Sequence, residues 1–167
     1  MTGHGEGQLH PNVQRVVQAA ASAGLLIEVV RFPASTRTAQ DAARAVGCSV
    51  AQIVKSLVFV VDGDPVVALV SGADRLDPER LAAAMNGSQV RRAEGDEVRS
   101  ATGYAIGGVP PLGHARPLPI LMDEHLLVHA ELWAAAGLPN AVFRVAPLDL
   151  ERAAGARRVV IAADPQG

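Results

Sequence analysis

The residue most suggestive of chemistry is Lys55, the single lysine of the chain. Of the 15 lysine and arginine residues, 14 are arginine. Lysine offers what arginine does not, a compact ammonium on a flexible stem whose pKa burial can move. Its apolar neighbours Ile53, Val54, Leu57 and Val58 place this ammonium on an apolar wall, where a charge needs a partner or a ligand. The alternative is structural, because a cation at the end of a helix satisfies the terminal carbonyl groups.

The second candidate is the segment from Thr102 to Gly113, which carries four glycines and two prolines in twelve residues. Glycines allow left-handed turns and close approach of a ligand to the main chain. Prolines stiffen the path. Such a loop can aim several N–H groups at one point, as a developing oxyanion requires. The alternative is an ordinary rigid connection between a helix and a strand.

Other chemistries fit less well. Lys55-Ser56 follows Gln52-Ile53-Val54 and not a phosphate-binding glycine loop, so no nucleotide cofactor is expected. His125 and His129 are four residues apart, but a zinc-peptidase helix needs glutamate where Leu126 stands, so no metal is expected. Cys48 is predicted to fill space in the core.

Composition limits the class of protein. A length of 167 residues fits one domain, predicted over residues 9–167 after a disordered tail at residues 1–8. The apolar runs are far shorter than the roughly 20 residues that cross a bilayer. A single cysteine suits a reducing compartment, so we expect a soluble cytoplasmic protein. The net charge of −2 gives no overall attraction to DNA.

The pattern of residues predicts a mixed α+β domain. Asp62-Gly63-Asp64 between two apolar runs predicts a β-hairpin, with both faces of its strands covered. Capping and periodicity predict helices at 11–23, 50–54, 78–86, 96–102 and 148–154, and a further helix up to residue 46 that either Thr36 or Thr38 can cap. Strands are predicted at 25–32, 56–61, 65–70, 89–93, 118–122, 141–145 and 159–162.

Five segments, in order, resemble a known family. They are Gln52–Phe59, Val70–Asp77, Thr102–Gly113, Pro119–Asp123 and Ala135–Asn140. They resemble the YbaK/ProX family, the free-standing relatives of the editing domain inserted in bacterial prolyl-tRNA synthetases. The match covers about residues 25–163. The combination of the Ile-Val-Lys-Ser-Leu segment with the glycine-proline loop is specific, whereas either alone would be weak.

The resemblance implies an α+β fold with a mixed, partly barrel-like sheet surrounded by helices, and favours a strand at residues 132–135. It also implies hydrolysis of the ester of mischarged aminoacyl-tRNA, without metal or organic cofactor. The substrate expected is a small amino acid such as Ala, Ser or Cys on tRNA(Pro) or a similar tRNA. The partners implied are the acceptor end of aminoacyl-tRNA and an aminoacyl-tRNA synthetase.

The resemblance also implies roles for individual residues. Lys55 matches the family's functional lysine, and Gly107 and Gly108 are the other residues expected to act in catalysis. Residues expected to contact substrate are Ser56, Gly103, Pro110, Pro111, Gly113 and His114. Two alternatives stay open: a non-catalytic module that binds aminoacyl-tRNA or a synthetase, and a hydrolase of small amino-acid esters.

Overall fold

The computed structural model describes residues 9–33 and 35–165. The tail predicted at residues 1–8 lies outside the described residues. The α-helices are α1 (Pro11–Ser22), α2 (Ala39–Val46), α3 (Pro78–Ala84), α4 (Gly95–Thr102) and α5 (Pro147–Ala154). The strands are β1 (Val29–Arg31), β2 (Ile53–Val61), β3 (Asp64–Ser71), β4 (Val90–Arg92), β5 (Ile120–Asp123), β6 (Leu132–Ala135), β7 (Ala141–Val145) and β8 (Arg157–Val159). Two short 3₁₀ helices, Val50–Gln52 and Glu124–Val128, precede β2 and follow β5. None of the helices described is both long and apolar enough to cross a membrane.

The β2–β3 hairpin is the centre of the fold, as the apolar runs predict. Val61 pairs with Asp64 across a two-residue turn. Both turn residues, Asp62 and Gly63, have positive φ, at 49° and 89°. That conformation matches the right-handed twist of the paired strands. Asp62 also holds the connection between α3 and β4 against the hairpin, because its carboxylate accepts the N–H groups of Ser88 and Gln89.

One eight-stranded mixed sheet contains every strand. Its order is β1-β7-β6-β2-β3-β5-β8, and β4 pairs separately with β2. On the edge of β2 away from β3, β6 pairs at Ile53–Val54 and β4 pairs at Phe59–Val61. Among the strands described, none pairs with residues 55–58 of β2 on that edge. The sheet therefore has a gap beside the middle of its central strand.

Helices cover both faces of the sheet, as predicted. On one face, Val16 of α1, Val98 of α4 and Leu150 of α5 join the main apolar core. On the other face, Leu81 of α3 packs with Phe59 and Val70, while Ala42 and Ala43 of α2 pack with Ile53. The predicted α+β class with a mixed sheet and surrounding helices is confirmed.

Three differences between the predicted and observed elements are the largest, and the other boundaries agree within about two residues. The strand expected at 25–32 is limited to Val29–Arg31, the three residues that pair with Ala141–Phe143 of β7. The expected helix at 50–54 is a single 3₁₀ turn, so Lys55 is the third residue of β2. The last strand ends at Val159, because the N–H groups of Ile161 and Ala162 donate to the Asp123 carboxylate and not to a neighbouring strand.

Candidate active site

The gap between β4 and β6 opens into a cavity of about 240 Å³. Its lining comes from β2, β4, β6, β7, α2, α4 and the loop after α4. Most of the lining is apolar, including Val54, Val58, Val98, Val109, Ala134 and Val142. Four of the residues predicted to act in catalysis or substrate binding lie around this cavity or directly behind its wall: Lys55, Ser56, Gly107 and Gly108.

Lys55 lines the cavity and is half-buried. Its Nζ donates a hydrogen bond of 2.6 Å to the main-chain carbonyl of Asp74. Burial lowers the pKa of Lys55, the Asp74 carboxylate opposes this shift, and the positive charge of Arg92 adds to it. The sequence predicts an ammonium on an apolar wall, where the charge needs a partner or a ligand. In the structure, the carbonyl of Asp74 is such a partner.

Ser56 follows Lys55 in the strand, so its side chain points to the opposite face of the sheet. Its Oγ is buried and has no hydrogen-bond partner among the described residues. The main chain of β2 bonds β3 at Ile53, through Gly72 N–H, and bonds the other edge at Val58, through Ala93 N–H. Because this alternation has a period of two, the N–H and C=O of Ser56 face the gap. Ser56 therefore offers unpaired polar groups to a ligand in the cavity.

The rim of the cavity opposite β2 is a tight turn of the glycine-proline loop. Gly108 N–H donates to Ala105 C=O at 3.0 Å, and Gly107 has φ of 92°. This is a type II turn, whose third residue requires positive φ and hence glycine. Gly107 contributes to the cavity lining, and Ile106 beside it is 56% exposed.

Gly108, Pro110 and Pro111 lie behind the rim, and all three are buried. A Cβ on Gly108 would lie 3.0 Å from the carbonyl oxygen of Gly137, so this glycine lets the loop pack on the β6–β7 connection. Its N–H is already engaged in the turn. This geometry favours Gly107, and not Gly108, as the glycine closest to a reacting group.

The structure does not bring Gly103, Gly113 and His114 to this cavity. Gly103 ends α4 with φ of 86°, and its carbonyl accepts a hydrogen bond from Arg15. Gly113 and His114 line a separate cavity beside α1 and α5. Burial lowers the pKa of His114, and its Nε2 lies 2.8 Å from the carbonyl oxygen of Pro110. These three residues, predicted to contact substrate, instead fix the two ends of the loop.

Arginines at the cavity mouth were missed by the sequence reasoning. Arg92 pairs in register with Phe59, which places both side chains on the same face of the sheet as Lys55. The Arg92 guanidinium lies 5.6 Å from the centre of the Phe59 ring. Arg37, before α2, also lines the cavity. In a chain with 14 arginines, composition does not single out these two.

Three further groups lie near the site without lining the cavity. Asp74, Asp123 and His125 bring potential ligand atoms within 4.8 Å of one another. Each is engaged, since His125 Nδ1 lies 2.8 Å from Asp74 Oδ2, and Asp123 accepts N–H groups from His125, Ile161 and Ala162. The cluster is therefore an ion pair on a hydrogen-bonded support.

The thiol of Cys48 lies in the small apolar cluster beside α2. Its Sγ lies 3.3 Å from the carbonyl oxygen of Ser49, which it can reach as a weak donor. Burial raises the pKa of this thiol, which favours its neutral form. The predicted packing role agrees with this position.

The chain is therefore a mixed-sheet domain with a half-buried lysine at the mouth of a small, mainly apolar cavity. The family described as "Aminoacyl-tRNA editing domain" matches residues 33–153. The chain belongs to this family, as the five sequence segments indicated.

Known proteins similar to this chain agree with the family assignment. The crystal structure of a candidate trans-editing enzyme for prolyl tRNA synthetase is 47% identical, with a TM-score of 0.89, over 94% of this chain and 100% of that one. A proline–tRNA ligase of Acidithiobacillus ferrooxidans is 36% identical over 103 residues, which are 62% of this chain and 18% of the ligase. A candidate Cys-tRNA(Pro)/Cys-tRNA(Cys) deacylase of Enterococcus faecalis, EbsC, is 29% identical over 66% of this chain and 68% of that protein.

Proposed function

We propose that this chain hydrolyses the ester between a small amino acid and the terminal ribose of a mischarged tRNA. The observation that carries the proposal is the Lys55 ammonium, half-buried at the mouth of an apolar cavity of about 240 Å³. A terminal nucleotide brings a phosphate, and an esterified amino acid brings a small side chain. The positive charge at the mouth of the cavity would attract the phosphate, and the apolar interior would accept the amino-acid side chain.

Lys55 and Arg92 would bind the phosphate. An ammonium about 4 Å from an anion gains on the order of 4 kcal/mol near a protein surface, before desolvation is subtracted. Arg92 approaches from β4 on the same face of the sheet. The role of both cations is therefore to position the ester, which is a large part of catalysis for reactions of this kind.

The ester carbonyl would lie between Gly107 and Ser56. As water, positioned by the site or by a functional group of the substrate, attacks the carbonyl carbon, negative charge grows on the carbonyl oxygen, and a main-chain N–H at the turn can stabilise it. The bond between this carbon and the ribose oxygen then breaks, and the ribose oxygen takes up the proton that the attacking water loses. The products of hydrolysis are the free amino acid and tRNA with an intact ribose hydroxyl.

The amino acid is expected to be small. The cavity is smaller than the about 300–1,000 Å³ of sites for drug-sized ligands, and valine and alanine side chains line its interior. Ala, Ser and Cys on tRNA(Pro) or a similar tRNA are the substrates we propose. Ser56 Oγ, which lacks a partner, can bond a hydroxyl or thiol of the substrate.

The second candidate function is binding of aminoacyl-tRNA or of a synthetase without hydrolysis. The observation that favours it is the pair of relatives that are proline–tRNA ligases or are described as serving one. A docked synthetase would deliver the mischarged tRNA directly to the cavity, so binding of a synthetase alone does not exclude hydrolysis, and release of the amino acid separates the two candidates.

The test is a deacylation assay on tRNAs charged with Ala, Ser, Cys, Thr or Pro, in the presence of EDTA. The proposal expects at least one of the small amino acids to be released, with single-turnover rates that depend on Lys55. A parallel filter-binding measurement detects binding. Tight binding of charged tRNA with no release from any member of the panel would favour the binding module.

A further inference from the structure

Asp74 contacts Lys55 from outside the cavity, in the turn that follows β3. Its main-chain carbonyl accepts the Lys55 ammonium at 2.6 Å. Its carboxylate points to a different partner, with Oδ2 at 2.8 Å from His125 Nδ1. One residue thus provides both a dipole in contact with the ammonium and a full negative charge close to it.

The position of the carbonyl does not depend on the carboxylate. Asp74 N–H donates to Ser71 C=O at 3.0 Å, and Ser71 Oγ accepts Ala73 N–H at 3.2 Å. Ser71 Oγ also donates to Ala51 C=O at 2.8 Å, which ties the turn to the 3₁₀ helix before β2. The turn is therefore held by main-chain and serine contacts, and the carboxylate is available to act through its charge.

The carboxylate of Asp123 holds the main chain of His125 in place. Asp123 is fully buried, and its Oδ2 accepts His125 N–H at 3.0 Å. Its Oδ1 accepts Ile161 N–H at 2.8 Å, so the support is anchored in the chain after β8. The hydrogen bond to Asp74 raises the pKa of His125. His125 therefore keeps its positive charge, and its ion pair with Asp74, to higher pH than an isolated imidazole would.

We propose that Asp74 is a positioning residue for Lys55, whose carbonyl orients the ammonium and whose carboxylate keeps it protonated inside the apolar wall. The proposal rests on the function proposed above, in which the charge of Lys55 binds a phosphate. Arg92 from β4 also acts on the charge of Lys55, and Arg37 lines the same cavity. Both are cations, so of the charged groups named here Asp74 is the one that favours the charged form of Lys55.

The single lysine makes a direct test straightforward. With lysine labelled at Cε with carbon-13, the protein gives one lysine signal, whose chemical shift reports the titration of Lys55. Asp74→Asn keeps the carbonyl and the shape of the side chain but removes the charge. We expect its Lys55 to bind a proton about two- to tenfold more weakly than in the wild type.

Control variants distinguish the loss of the Asp74 charge from damage to the fold. Asp149→Asn removes the same charge from α5, where Asp149 pairs with Arg152, and should leave the Lys55 titration unchanged. Backbone amide spectra check that the turn of Asp74 is intact. If Asp74→Asn does not fold, Asp74→Ser removes the same charge with a side chain that also suits turns. An unchanged Lys55 titration in either folded variant overturns the proposal.

The pH dependence of deacylation gives a second readout. The alkaline fall of kcat/KM should move to lower pH in Asp74→Asn by the shift seen in the spectra. His125→Gln should not move that alkaline limb to lower pH, because it leaves the Asp74 carboxylate in place and removes no negative charge. An alkaline limb that does not move in Asp74→Asn, while the Lys55 signal does, contradicts the link to catalysis.

The outcomes also distinguish this proposal from the proposed function. A shifted Lys55 titration with no deacylation of any charged tRNA would leave the role of Asp74 standing and refute hydrolysis. Deacylation that depends on Lys55, together with a Lys55 titration that Asp74→Asn does not move, would support hydrolysis and refute the role of Asp74.

Discussion

Lys55 carries a structural cost that the functional role proposed for it would explain. Its side chain is half-buried, and burial disfavours its charge. Among the described residues, the ammonium donates to one carbonyl, that of Asp74, which leaves two of its three donors for a ligand. A lysine used only to end the 3₁₀ helix would not need to lie within β2 or to line a cavity.

Lys55→Ala should therefore lower single-turnover deacylation at least about 100-fold. The midpoint of thermal unfolding should stay the same or rise, because a partly desolvated charge is removed. Lys55→Arg should restore little activity, since a wider planar head must occupy the space of an ammonium. Circular dichroism checks the fold, and wild-type rates in the alanine variant would reduce Lys55 to a structural residue.

Gly107 and Gly108 should respond differently to substitution. Gly107→Val has space, with Pro139 Cγ at 3.7 Å from the added Cβ, but its φ of 92° is strained for any side chain. We expect the fold to persist while the rate falls about 10²–10³-fold, as for loss of one oxyanion donor. Gly108→Val brings its Cβ within 3.0 Å of the Gly137 carbonyl oxygen and should lower the melting temperature as well.

A glycine remote from the cavity provides the control. Gly63, in the hairpin turn, has φ of 89° and no atom within 4 Å of an added Cβ. Gly63→Val should thus introduce similar backbone strain and leave the rate of the folded protein unchanged. Equal rate losses in the Gly63 and Gly107 variants would mean that the loop turn has no special role in the reaction.

At the level of elements, β4 and α4 form one unit that carries Arg92 to the cavity. Arg91 and Glu97 make two hydrogen bonds of 2.8 Å across the connection. Glu97 Oε1 also accepts Glu94 N–H at the start of the helix. The hydrogen bonds from Arg91, and then from Glu94, lower the pKa of Glu97 from 4.5 to about 2.

This pair should contribute to stability in acid. A carboxyl group whose pKa is lower in the folded state stabilises the fold fully above its unfolded value, here 4.5, and loses that contribution as the pH falls towards about 2. Glu97→Gln should flatten the decline of stability over this range. The effect should be small because the pair is exposed to solvent. Glu28→Gln, on an exposed residue before β1, is the control for loss of one charge, and denaturant titrations at pH 2.5, 4 and 7 measure both.

Capping residues and the spacing of apolar residues predicted most of the helices and strands, because these local preferences agree with the packing of the folded chain. Asp77-Pro78 opens α3 through the Asp77 carboxylate, and Thr38 caps α2. The gap beside β2 could not be predicted, because it depends on where two short strands, β4 and β6, pair along β2. The site was therefore predictable on β2 and the loop, but not at Arg92, Val142 or Trp133. Asp74 lies within a segment that suggested the family, which was the one available signal for it.

At the scale of the whole molecule, the proposed function requires that tRNA be bound by a protein without an overall positive charge. The net charge is −2. The cations placed at the cavity mouth are Lys55, Arg92 and Arg37. In the proposed function these cations would bind a few phosphates at the end of a nucleic-acid strand, whereas a protein with a broad basic face would contact many.

The salt dependence of binding measures that difference. Two or three phosphate contacts on a single strand predict that log Kd rises with log salt concentration with a slope of about 1.4–2. Raising potassium chloride from 50 to 200 mM should then weaken binding of a charged tRNA about 5- to 20-fold, measured by filter binding with a non-hydrolysable aminoacyl linkage. Lys55→Ala should lower the slope by about 0.7, whereas Arg152→Ala on α5 should leave it unchanged, because Arg152 lies outside the cavity. A slope above about 4, insensitive to Lys55, would show that the tRNA is bound mainly by a surface away from the cavity.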